Sequence, residues 1–172
     1  MTLRTGAALL AIAAFAGAAG AQPTMLGVDA AACTSGEGPA IQANIEGLKD
    51  RKGELKLELY PPDEEDFLKD DNILIAQGKL FRRIRVSTPS SGPVSLCIRV
   101  PRPGRYALLF THNRDGKNKF SFWSDGAGFP SNQRIGRARP KLAGALIEVG
   151  KGVVVTNIHA QYLHGIGGFS PN

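Results

Sequence analysis

Every second residue is apolar along four separate stretches of this chain, and that period confines them to β-strands. Leu55, Leu57 and Leu59 alternate with Glu54, Lys56, Glu58 and Tyr60, and Val94, Leu96, Ile98 and Val100 with Ser95, Cys97 and Arg99. Ile41, Ala43 and Ile45 enclose Gln42 and Asn44. Near the end Val154, Thr156, Ile158, Ala160 and Tyr162 share one face, opposite Val153, Val155, Asn157, His159 and Gln161. Side chains of a strand point alternately to its two faces, so each pattern describes a strand with one dry and one wet side. Residues 106–110 are apolar on both faces, as a central strand is.

Turn residues separate these stretches. Residues 50–53 read as a charged hairpin turn ending in Gly53, and 89–92 as a second turn cluster. Pro101 and Pro103 bracket a sharp entry into the central strand. Residues 63–69 are the helix candidate, with Pro62 and Asp63 at the start and Phe67 and Leu68 free to pack. The pattern predicts an all-β fold: one antiparallel β-sandwich of about seven strands with one short helix. No repeat or linker divides it, so residues 22–172 form a single domain.

Residues 1–21 read as a signal peptide. Arg4 gives the positive start, 7–18 an apolar run, and Ala19-Gly20-Ala21 the small residues that precede cleavage before Gln22. The run falls short of the roughly 20 apolar residues that span a bilayer, and no later run reaches that length, so no transmembrane segment is expected after cleavage. No cysteine stands at the cleavage point to carry a lipid. The expected location is periplasmic or secreted. In that compartment Cys33 and Cys97, the two cysteines of the sequence, read as a disulfide.

Charge is divided along the chain. Residues 22–71 hold 12 acidic and 5 basic groups, a net of 5 − 12 = −7, and residues 72–172 hold 15 basic and 3 acidic, a net of 15 − 3 = +12. Two readings follow. Either the halves neutralise one another in the fold, or a basic face meets an anionic polymer of the cell envelope. Arg83, Arg85 and Arg99 fall on the polar sides of their strands, and pairing of 80–86 with 94–100 as a hairpin would gather them into one patch.

Familiar catalytic spacings are missing. His159 and His164 would point to opposite faces of one strand, and no His-Glu-x-x-His run or Gly-x-Ser-x-Gly elbow occurs. Residues 112–121 have the outline of a calcium loop in which Asn113, Asp115 and Ser121 could offer oxygens. Lys117 puts a cation at a ligand position, which favours a polar turn closed by Asp115-Gly116. Phe120, Phe122, Trp123 and Phe129 crowd the same region. Core packing is the ordinary expectation for such aromatics, and stacking on sugar rings is the alternative. Nothing resembles a nucleic-acid motif, and no cofactor is implied.

Several of these residues carry a resemblance. Gly104-Arg-Tyr106-Ala107, His112, Asp115-Gly116, Gly128-Phe129-Pro-Ser131-Asn132 and Tyr162 are similar to a bacterial family known as domain of unknown function 2141, and the run Gly-Glu-Leu-Lys-Leu-Glu-Leu-Tyr60 resembles its second strand. The similarity runs over about 41–163. It implies an exported sandwich of immunoglobulin or transthyretin type with no agreed activity. Asn113, Lys117 and Ser121 depart from the family's acidic loop, so any metal affinity of that loop does not carry over.

The leading expectation is therefore a non-catalytic binding or structural module of the cell envelope, not an enzyme. Its contact candidates are His112, Asp115, Trp123, Asp125, Arg83, Arg85 and Arg99. Its partner would be an anionic envelope polymer or another envelope protein. The alternatives are a carbohydrate- or metal-dependent binder using 112–131, and a hydrolase with an unrecognised site around His112 and Asp125.

Overall fold

The alternating residues do turn inward. Leu55, Leu57, Leu59, Leu96 and Ile98 are each 0% exposed and meet Ile41, Leu108, Phe110 and Ile158 in the main core. The computed structural model describes residues 24–117 and 119–172; the signal peptide assigned to 1–21 lies outside them.

Two stacked sheets build that core. The first contains, in spatial order, β1 (Met25–Leu26), β5 (Val94–Arg99), β2 (Ala40–Glu46) and β9 (Val153–His159). The second runs β11 (Phe169–Pro171), β10 (Gln161–Leu163), β7 (Gly126–Gly128), β6 (Gly104–Asn113), β3 (Glu54–Tyr60) and β4 (Arg82–Ser87), with β8 (Leu146–Val149) also on β6. The fold is thus mostly β, as the sequence period predicts. The ten-residue β6 is central, as its two apolar faces imply.

Four expectations need correction. Among the described residues eleven strands stand where about seven are expected, because β1, β7, β10 and β11 are pieces of two or three residues, too short to show a period. The sheets are mixed: β1 pairs with β5, and β2 with β9, in parallel. Neither pair is closed by a tight turn, so nothing forces opposite directions. The turns at 50–53 and 89–92 are not hairpins; each carries the chain from one sheet to the other. Gly53 has φ 70°, and a Cβ there would lie 2.0 Å from the carbonyl oxygen of Asn113, so this arch requires glycine.

The fourth concerns the helix. Phe67 N–H bonds to Asp63 O at 2.9 Å, starting a turn over 63–69 that Leu68 ends by taking φ 62°. The helix forms two residues later as α2 (Asp71–Ala76), where Asp70 caps the N–H of Asn72 at 3.0 Å. The other α-helices among the described residues are α1 (Ala30–Thr34) and α3 (Leu142–Ala145).

The N-terminal segment lies across the outside of the smaller sheet. Cys33 and Cys97 form a disulfide that bolts α1 over β5, burying Ala32, Ala40 and Cys97. The two charged halves meet: Arg82 pairs with Asp29 at 2.8 Å, Lys79 with Asp66 at 2.7 Å, Arg83 with Asp71 at 2.8 Å and Arg99 with Glu37 at 3.2 Å. In each pair the acid comes from the acidic half and the base from the basic half. The last alternating stretch is broken at Ala160, where the chain leaves the first sheet as β9 and enters the second as β10.

Candidate functional site

The outer face of the larger sheet is buried too, and the site lies where its cover stops. Alternation puts Lys56, Glu58 and Tyr60 of β3 on that face, with Leu109 and Thr111 of β6. Register sets Lys56 between Thr111 and Arg85, Glu58 between Leu109 and Arg83, and Thr111 beside Ala127 of β7. Tyr60, Phe67, Leu74, Ala107, Leu109, Ala127, Phe129 and Ala145 form a second apolar cluster under segments 61–81 and 129–145. Beyond that cluster opens a cleft of about 740 Å³. Lys56, Leu109, Thr111 and Ala127 contribute to its floor, and Phe120, Phe122, Trp123, Phe129, Ile135 and Phe169 to its walls.

One wall is the loop 114–125, folded around Asp125. One carboxylate oxygen of Asp125 accepts from the Arg114 N–H and the Ser124 hydroxyl, at 2.9 and 3.0 Å, and the other from the Ser121 N–H at 2.9 Å. The Arg114 guanidinium ties the loop to Asp50 and donates to the Ser124 carbonyl at 2.6 Å. Phe120 and Phe122 rest edge to face on each other, centroids 5.5 Å apart, and both lie against Phe169.

The opposite wall is residues 135–140. The fully buried amide of Gln161 accepts from Ile135 N–H and donates to Gln133 O, at 2.9 and 2.8 Å. Gly136 bridges Phe169, and Arg139 donates to Phe67 O at 2.8 Å. Leu68, held in the left-handed region, also lines the cleft; such a backbone conformation costs of order 1 kcal/mol.

The floor is charged. Glu58 accepts from the Tyr60 hydroxyl at 2.8 Å and from Arg83 Nε at 2.5 Å, and burial together with Glu58 pushes the Tyr60 phenol well above its usual range. Lys56 is only 6% exposed. Burial, with Arg85 and Arg83 nearby, moves its ammonium below the usual lysine value.

Of the expected contact residues, Arg83, Trp123 and Asp125 line this cleft and the others lie elsewhere. Arg83 and Arg85 lie on β4, in the larger sheet, and Arg99 on β5, in the smaller, so the expected hairpin and arginine patch do not form. Arg83 is taken up by Glu58 and Asp71, and Arg99 by Glu37. His112 faces the sandwich interior at 0% exposure. Its Nδ1 is 2.7 Å from the Tyr162 hydroxyl and its Nε2 2.7 Å from Lys52 O, and burial holds its pKa below the usual value. It does not line the cleft that Asp125 helps to form, so the two are not brought together there.

In the loop outlined as a calcium site, the Asn113 amide accepts from Gly116 N–H at 3.0 Å and donates to Lys117 O at 2.9 Å. The Asp115 carboxylate accepts from Lys117 N–H, which holds its pKa below the usual range, and lies 3.3 Å from the Lys117 ammonium. Ser121 supplies its N–H to Asp125. Among the described residues no three His, Cys, Asp or Glu side chains gather as a metal would need. Trp123 departs from the expected core packing: it is 88% exposed and Phe122 67%, while Phe129 is buried.

Sequence reasoning missed Lys56, Arg137 and Arg139 as lining residues. Lys56 looked like any wet-side residue of an alternating strand. The available signal was β6, whose two apolar faces require cover on both sides of the sheet.

A family model described as an uncharacterised protein conserved in bacteria, DUF2141, matches residues 43–157, more than half the chain. No curated protein matches, and no solved structure does.

Proposed function

The chain belongs to the DUF2141 family of bacterial proteins, and we propose that it is a non-catalytic binding module acting outside the cytoplasm, with its ligand in the cleft on the outer face of the larger sheet. The observation that carries this reading is the cleft itself. A concavity of about 740 Å³ with mostly apolar walls and a few polar groups on its floor has the size and character of a small-molecule site. Phe122 and Trp123 are exposed beside it, an apolar patch of the kind that marks ligand-binding grooves. The Cys33–Cys97 disulfide and the apolar leader of the sequence support a periplasmic or secreted location.

An immunoglobulin-like stacking is part of the proposal. Its support is the Tyr106 hydroxyl, which donates to Arg102 O at 2.6 Å, four residues upstream, in the manner of a tyrosine corner. The non-catalytic assignment is supported by His112, whose two nitrogens are occupied in the interior, and by Asp125, whose oxygens are committed to its own loop.

Trp123 is the one tryptophan of the sequence and lines the cleft, so its fluorescence reports occupancy. Saturable change on titration with a neutral aromatic probe, lost in Ala127→Phe with unchanged melting behaviour, is the expected result. An unresponsive Trp123 across apolar, sugar and acidic probes would remove the cleft as the site. A second reading, in which exposed Phe122 and Trp123 stack on sugar rings, predicts response to oligosaccharides that survives Ala127→Phe.

A further inference from the structure

On the reading that this cleft is the ligand site, we propose that it selects an amphiphilic monoanion: a carboxylate carried on an alkyl or aryl body, with the carboxylate against the Lys56 ammonium and the body along the apolar walls.

Lys56 stands alone on the floor. Its residue is 6% exposed, yet among the described residues its ammonium has neither hydrogen-bond nor ion-pair partner. Among the described residues no buried side-chain nitrogen or oxygen is left unsatisfied, so Nζ reaches the open space of the cleft, which Lys56 lines. With its stem buried and its tip facing the cleft, this ammonium is poorly hydrated and gains from a counter-charge placed there.

Among the described residues no carboxylate contacts it, although the charges of Glu54 and Glu58, two residues to either side on β3, act on it through space. Two carboxylates line the cleft among the described residues, and both are spent. Glu58 gives one oxygen to Tyr60 and the other to Arg83, while Asp125 uses both on Arg114, Ser121 and Ser124. Arg85 lies across from Lys56 in the strand register and adds positive charge. Five cationic side chains line the cleft (Lys56, Arg83, Lys119, Arg137 and Arg139) against those two carboxylates, a net of 5 − 2 = +3. The field inside favours an anion.

Geometry sets the class more narrowly. One unpaired ammonium at the floor matches one negative charge; Arg83, which also lines the cleft, is already held by Glu58 and Asp71. Leu109, Ala127, Phe129, Phe122 and Phe169 leave the rest of the ligand an apolar path from floor to rim. An acid with an extended apolar body satisfies both.

The test uses the disulfide-intact chain at neutral pH, with Trp123 emission as readout and decanoate and 1-decanol as probes. The two share a chain and differ in charge. Decanoate is expected to bind about tenfold tighter or better, the worth of one charge-assisted contact. Lys56→Met is expected to erase that preference while decanol binding persists. Equal, saturable binding of both probes to the unaltered chain would overturn the anion selectivity and leave the cleft reading standing. Failure of both, together with failure of a neutral aromatic probe, would overturn the cleft reading as well. Because the acid–alcohol comparison is made first on the unaltered chain, the result does not depend on the variant folding.

Discussion

The hydroxyl of Tyr162 lies 2.7 Å from Nδ1 of His112, with both rings closed off from solvent at one end of the sandwich. The Lys49 N–H donates to that hydroxyl at 3.1 Å, and His112 Nε2 faces Lys52 O at 2.7 Å. A neutral imidazole protonated on Nε2 completes the chain: Lys49 N–H to Tyr162, Tyr162 to Nδ1, and Nε2–H to Lys52 O. The pair therefore fastens the 47–53 arch to the end of the larger sheet. Tyr162→Phe keeps the ring but orphans the Lys49 amide and His112 Nδ1. It is expected to cost about 1–3 kcal/mol, read from urea unfolding.

The same histidine makes stability depend on pH. Its folded pKa is held below the ordinary 6.5, chiefly by burial. The unfolded chain then takes up a proton before the native one, so this contribution is complete above about pH 6.5 and is lost as pH falls toward the folded value. A second loss follows in acid. Asp50, bonded to Arg114, has its pKa lowered from 3.8 to about 2 and gives stability above the first value that disappears toward the second. Urea midpoints from pH 8 to 5 are expected to decline below 6.5, and to flatten in that interval in His112→Gln.

Reduction of Cys33–Cys97 opens a closed segment of 64 residues. The chain-entropy estimate for a segment of that size is about 4 kcal/mol. Because the bond lies on the smaller sheet, away from the cleft, the double Cys→Ser chain is expected to melt earlier while Trp123 still responds to ligand. Loss of that response in folded protein would show the two sheets to be more tightly coupled than this.

Asn132 guards the outer edge of β9. Its side chain donates to Asn157 O at 2.9 Å and accepts from the His159 N–H at 2.8 Å, in place of the strand that edge lacks. Its φ of 55° suits asparagine or glycine. Asn132→Gly keeps the backbone shape and removes only the two bonds. A cost of about 1–2 kcal/mol and faster amide exchange at His159 are expected.

How much of this could be read from the sequence depends on distance along the chain. The dry faces of β2, β3 and β5 were legible because alternation is local and Leu55, Leu57 and Leu59 had no other way to leave water. Several residues that carried the resemblance are frame (Tyr106 at its corner, His112 with Tyr162, and Asn132 on β9), while Lys56, Glu58, Tyr60 and Phe129 among them line the cleft. The parallel partnership of β2 and β9 was not legible, since it joins residues more than a hundred positions apart with no turn between them. Nor was the cleft. Its walls come from 120–125 and 135–140, and its floor from 56, 109, 111 and 127, so no single window of sequence contains it. The helix was misplaced because nothing in its composition reveals the left-handed turn at Leu68.

Leu57 and Leu59 point into the interior, and Lys56 and Glu58 beside them point into the cleft. Frame and cleft lining are thus interleaved, one residue after another, on the same backbone. On the proposed reading, a single substitution on the outward side can change what the cleft accepts while the inward side keeps the molecule folded.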